Sequence, residues 1–212
     1  MKHVTFWFDP VSPYACLAFE RLPQALEGLS WRVDYRPVLF AGLLNQHGQR
    51  GPAEIPGKRD WTYRQVLWLA HAHGIPLQLP AAHPFNPLPL LRLALACGGD
   101  GLVNRHVAET VLRHVWRGGA DAADPQRLEA LRAQLQPARD PAGEAVKAEL
   151  RANGEAALAR GLFGVPTCEV DGRLFWGLDA LPMLRAWLAG DPWFATGAWE
   201  QAAALPAGVT RR

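Results

Sequence analysis

Three short segments carry groups able to do chemistry. In Asp9-Pro10-Val11-Ser12-Pro13-Tyr14-Ala15, serine followed by proline opens a helix, which sets the Ser12 hydroxyl beside unpaired amides and the positive end of the helix dipole. That place favours an anion such as a thiolate, and it is also the place of an ordinary helix cap. In Gly164-Val165-Pro166-Thr167 an X-Pro bond enters a strand. A cis bond there leaves the Val165 backbone free to pair with an extended ligand, whereas base rates favour a plain trans turn. In Trp176-Gly177-Leu178-Asp179 the glycine admits close backbone approach and the amides of the next helix can take a carboxylate. The Asp179 carboxylate can take an ammonium or simply cap that helix.

The remaining reactive side chains offer less. Cys16, Cys97 and Cys168 are isolated from one another, so neither a disulfide framework nor a thiolate zinc site is expected, and a reducing compartment fits. His71 and His73 lie two apart on a helix and point to different faces, and His106 and His114 share a face without a ligand partner, so no metal site is expected. The apolar run before Asp9 and Pro10 is too short for a secretion signal. The longest uncharged stretch, Gly74 to Leu91, contains Pro76, Pro80, Pro84, Pro87 and Pro89 and cannot span a membrane as a helix. A cytoplasmic protein is expected.

Elements must bring the three segments together. Val4–Phe8 is a buried strand by its β-branched and aromatic run, Ser12-Pro13 starts a helix that ends near Gly28, and Trp31–Tyr35 is a second strand. Residues 37–56 have little periodicity and read as an ordered loop or short helix. Helical spacing recurs in Trp61–His73, Leu88–Cys97, Leu102–Arg117, Pro125–Leu135 and Gly143–Ala159. Thr167–Val170 and Arg173–Trp176 flank Asp171-Gly172, a tight hairpin turn, and Leu181–Leu188 is a last helix. The expected organisation is a discontinuous α/β domain over 1–36 and 160–190, a loop and all-helical insertion over 37–159, and an irregular surface tail over 191–212.

Composition narrows the partner. With 212 residues, 49% of them hydrophobic and 20% charged, the chain can bury a sizeable core in water. A net charge of +2 gives no polycationic face for nucleic acid or an anionic membrane, so a small-molecule ligand is expected.

The order of these features resembles the thioredoxin-like fold in its DsbA-type form, in which the first turn carries C-x-x-C. Here those positions read Ser12-Pro13-Tyr14-Ala15. Dithiol exchange needs two sulfurs at that spacing, so a disulfide oxidoreductase is disfavoured. Ser-Pro-Tyr-Ala, Phe-Gly-Val-Pro-Thr and Phe-Trp-Gly-Leu-Asp together resemble the 2-hydroxychromene-2-carboxylate isomerase family, relatives of kappa-class glutathione transferases. Tyr35-Arg36-Pro37-Val38-Leu39, Gly51-Pro52-Ala53-Glu54-Ile55-Pro56 and Lys58-Arg59 add to the likeness.

The resemblance implies a glutathione-dependent isomerase, by likeness a homodimer, that borrows the tripeptide's sulfur. It assigns Ser12 to the sulfur, Val165 and Pro166 to the cysteinyl backbone, and Trp176, Gly177, Leu178 and Asp179 to the γ-glutamyl end. Gln49 takes the place of an asparagine in the related transferases. Lys58, in the proline-rich loop, and Tyr14 are assigned to a small aromatic carboxylate substrate. Trp7, Phe40, Trp61 and Tyr63 are candidate pocket walls or core. A kappa-like transferase or peroxidase and a non-catalytic glutathione-binding module are the alternatives.

Overall fold

In the computed structural model, which describes residues 1–206 and 208, β1 (Lys2–Phe8) lies inside a four-stranded sheet of order β2-β1-β3-β4. β2 (Trp31–Pro37) runs parallel to β1, while β3 (Thr167–Val170) runs antiparallel to it and pairs with β4 (Arg173–Trp176). Both sheet faces are covered, which is why β1 reads as a continuous apolar run. Val4, Phe6 and Phe8 enter the main core, and Trp7 points to a second cluster with Val38, Leu43, Ala157, Leu162 and Val165.

The crossover between the parallel strands is α1 (Pro13–Ala25). Ser12 caps it by accepting from the Ala15 amide, Pro13 supplies a preset first turn, and Ala15, Cys16, Leu17, Ala18, Phe19 and Leu22 are its buried face. The hairpin turn places Asp171 at φ 51° and Gly172 at φ 75°, the left-handed pair that a two-residue turn of this twist requires.

Between β2 and β3 come α2 (Phe40–Gln46), a 3-10 turn (Pro52–Glu54), α3 (Pro56–Ala72), α4 (Leu88–Ala96), α5 (Arg105–Trp116), α6 (Pro125–Leu135) and α7 (Glu144–Ala159). α5 buries Val107, Ala108, Val111, Leu112, Val115 and Trp116, and α8 (Leu181–Ala189) returns to pack beside α1.

Two expectations are corrected. Helix α3 begins at Pro56, not Trp61, because proline is well suited to a first helical turn; Lys58 therefore sits on a helix, not in a loop. The segment after Asp191 is not an irregular surface strip. It forms a 3-10 turn (Pro192–Ala195) and α9 (Ala198–Ala203), and Phe194 is buried with its ring 5.2 Å from Trp187 and 5.7 Å from Trp199. Residues 207 and 209–212 of that tail lie outside the described residues. No helix among the described residues is long and apolar enough to cross a membrane.

Candidate active site

Closing the sheet brings the first and second segments together. The Ser12 hydroxyl donates to the Val165 carbonyl at 3.3 Å, across 153 residues of chain, and accepts from the Ala15 amide at 3.2 Å. The bond to Val165 is long and weak. Since the cap occupies an oxygen lone pair and not the hydroxyl hydrogen, that hydrogen can turn to a stronger acceptor at the helix start.

The Val165–Pro166 bond is cis, the alternative that leaves the Val165 backbone free to pair; the local dipeptide does not decide the isomer, and tertiary context does. The Pro166 carbonyl accepts from Gly177 at 2.9 Å, which draws the third segment against the second. Gly177 has φ 96°, and a Cβ there would collide with the Asp179 carboxylate. The backbone is thereby bent so that Leu178 and Asp179 face the same opening. Asp179 does not cap α8: Ala180 occupies that position and no side chain caps the helix. Its carboxylate is left for other work.

One cavity of about 1400 Å³ collects Ser12, Tyr14, Gln49, Lys58, Val165, Pro166, Trp176, Gly177, Leu178 and Asp179. This exceeds the ~300–1,000 Å³ of an ordinary small-molecule site and leaves room for two ligands side by side. The opposite wall is α3, whose Lys58, Thr62, Gln65 and Leu69 line the cavity at helical spacing. Tyr14 spans from α1 to α3 by donating to Gln65 Oε1 at 2.6 Å. Burial, and then the nearby negative charge of Asp179, raise the Tyr14 phenol above its usual value, so it stays an O–H donor at neutrality. Arg50 joins Lys58 as a lining cation, and neither has an ion-pair partner among the described residues.

Phe40 lines the cavity, but three other aromatics proposed as walls do not behave alike. Trp7 is core, with its indole donating to Glu169 at 3.0 Å; Trp61 is exposed; and Tyr63 hydrogen-bonds His83. The chain's own sulfurs are withdrawn from the chemistry. Burial pushes the Cys16 and Cys168 thiols up to about 12 and raises Cys97 as well, which makes all three poor nucleophiles.

Two residues were missed by sequence reasoning. Asp9 is fully buried, and its two carboxylate oxygens accept from the Val11 and Phe40 amides, each at 2.9 Å. Burial raises its pKa to about 7 against the opposing pull of those amides. An acid ending a buried strand three residues before the serine was the available signal. His83 lies in the proline-rich connection to α4 and donates to the Val11 carbonyl. Nothing in its local sequence marks it.

A thioredoxin-like sheet with Ser12 and Ala15 at the head of its first helix, and all three thiols buried or half-buried, defines a thioredoxin-fold protein without the paired sulfurs that dithiol exchange needs. The chain belongs to the DSBA-like thioredoxin domain family, whose model matches residues 3–189. It is 28% identical over 197 residues to the 2-hydroxychromene-2-carboxylate isomerase of Sphingobium xenophagum, covering 88% of this chain and 98% of that one. It is 27% identical over 207 residues to glutathione S-transferase kappa 1 of Rattus norvegicus, covering 88% and 90%. The solved structure of 2-hydroxychromene-2-carboxylate isomerase superposes with TM-score 0.75 at 22% identity, over 97% of this chain and 100% of that one. The resemblance carried by the three motifs thus extends over the fold.

Proposed function

We propose that this protein is a glutathione-dependent isomerase that interconverts 2-hydroxychromene-2-carboxylate and trans-o-hydroxybenzylidenepyruvate, or a close aromatic analogue. The observation that carries the reading is the meeting of the Ser12 hydroxyl with Val165 in a cavity that reaches none of the three cysteines.

The donor set fits the tripeptide. The Val165 N–H has no acceptor among the described residues, and its carbonyl is held only by the weak Ser12 bond. Both are thus free to pair with an extended cysteinyl unit. The Leu178 and Asp179 backbone, with the Asp179 carboxylate, suits an α-amino acid end, and Gln49 and Lys58 suit the opposite end or a substrate carboxylate. Bound there, glutathione supplies a thiolate that adds reversibly to a conjugated double bond, permits rotation about the resulting single bond, and leaves again.

Ser12 provides the stabilisation. A free thiol ionises near ~8.5, and lowering that by about two units takes roughly 2.7 kcal/mol, within reach of one charge-assisted hydrogen bond plus the helix terminus. No catalytic base is needed on this path. Tyr14 and the lining cations Lys58 and Arg50 orient an anionic aromatic substrate across the cavity.

The test follows absorbance of the chromene with and without glutathione. Turnover that needs glutathione and leaves its concentration unchanged supports the isomerase, while turnover without it sinks the reading. A kappa-like transferase is the second reading, favoured by the matching 27% identity to a transferase and by space for an electrophile beside the tripeptide. Glutathione consumed into a conjugate, with no isomerisation, would select it. We also propose a homodimer, on the same likeness.

A further inference from the structure

The turn ahead of Ser12 is held by side chains from the inserted helices. Trp116, on α5 and fully buried, donates its indole N–H to the Pro10 carbonyl at 2.8 Å. His83 Nε2 meets the Val11 carbonyl at 2.7 Å, and its Nδ1 meets the Tyr63 hydroxyl at 2.8 Å. The imidazole ring is wedged 5.4 Å from Trp116 and 5.7 Å from Tyr63. With Asp9 taking the Val11 amide and Ser12 donating its own amide to the Asp9 carbonyl at 3.0 Å, the Pro10–Ser12 backbone is fixed on every side.

The chemistry of these partners dictates the imidazole's state. A carbonyl can only accept, so Nε2 carries a proton. Burial lowers the His83 pKa against the opposing pull of the Val11 bond, with a smaller push from Arg59, which favours the neutral ring with Nδ1 bare. A bare Nδ1 accepts the Tyr63 O–H at 2.8 Å, shorter than that hydroxyl's other acceptor, the His83 carbonyl at 3.2 Å. The Val11 carbonyl thus fixes the tautomer, and Tyr63 on α3, by holding Nδ1, orients the ring toward Val11, one residue before the Ser12 hydroxyl.

We propose that His83, oriented by Tyr63, is the positioning residue for Ser12, acting through the Val11 carbonyl and touching no ligand reaction centre itself. The proposal rests on the glutathione reading for its catalytic consequence, but its structural half stands without any ligand. The ring also lines the cavity, so the clamp couples the wall near α3 to the head of α1.

Two measurements test it. In the ligand-free protein, His83→Phe keeps the ring and removes both nitrogens, and amide hydrogen exchange at Ser12 and Ala15 is expected to speed by about tenfold while α6 is unchanged. In glutathione-dependent turnover, kcat is expected to fall about tenfold with KM for glutathione within about twofold, the pattern of a misaimed catalytic group and not of lost binding. His83→Gln, whose amide can donate to the carbonyl, restores most of both. Tyr63→Phe, which removes the hydroxyl that holds Nδ1, shifts both the same way by a smaller factor and serves if His83→Phe does not fold. Exchange and kcat unchanged in the variants, or no recovery with glutamine, overturns the proposal. If the wild-type protein shows no glutathione-dependent reaction, the functional reading falls and the exchange comparison alone decides the clamp.

Discussion

Ser12 caps α1 and, in the proposed function, also donates to the sulfur. Ser12→Ala removes both the cap and the sulfur's donor; the cap is worth about 1 kcal/mol of stability. Losing the charge-assisted bond should cost roughly ten- to a hundredfold in glutathione-dependent kcat/KM. Titrating the thiolate absorbance of bound glutathione checks this directly, because its ionisation should move back toward that of the free tripeptide. Asp9 makes a different prediction. Its carboxyl is raised from 3.8 to about 7 in the fold, so between those values the native state holds a proton the unfolded chain has released. The contribution is therefore fully present below about pH 4 and is lost as pH rises to about 7, by roughly 4 kcal/mol in all. Urea unfolding of the wild type at pH 5 and pH 8 should show that slope, and Asp9→Asn should lack it. An identical slope in Asp9→Asn would assign the effect to another group.

At the scale of elements, the bend after β4 does what no side chain there can do alone. Gly177 combines a positive φ with a collision between any Cβ and the Asp179 carboxylate. Gly177→Ala should cost about 1–2 kcal/mol of stability and weaken glutathione binding about tenfold, read by calorimetry, since Asp179 must move. The strands, α1 and the hairpin were legible because each is announced locally, by an apolar run, by Ser-Pro and by Asp-Gly. Eight candidate residues were legible through three motifs and two, Gln49 and Lys58, only through the family likeness; the cavity unites all ten. What was not legible depends on partners distant in sequence. The cis state of Val165–Pro166 is selected by the surrounding fold, and His83 acquires its role only because Val11 and Tyr63 arrive beside it. Lys58 was misplaced for a local reason: Pro56-Gly57 reads as a breaker, although proline also starts helices.

For the molecule as a whole, the segment after α8 is a tether. Phe194 sits among Trp187, Trp193 and Trp199, while Arg173 of β4 lies 4.4 Å from the Trp187 ring and bonds Glu200 of α9 at 2.7 Å. Phe194→Ala should lower stability by about 3 kcal/mol with little change in glutathione affinity, a separation that thermal melts and calorimetry together reveal. Light scattering should return twice the 23.3 kDa of the chain for the proposed homodimer; a mass equal to the chain removes that proposal.

The contact between Ser12 and Val165 also has a history in time. During translation the helix head is made early, yet its partner strand leaves the ribosome only after every inserted helix has been synthesised. A chain stalled before Val165 holds Ser12 but none of the residues from Val165 to Asp179 that line the cavity with it. The pairing of Ser12 with Val165 therefore arrives late, and an unfinished copy carries the helix head without its partner.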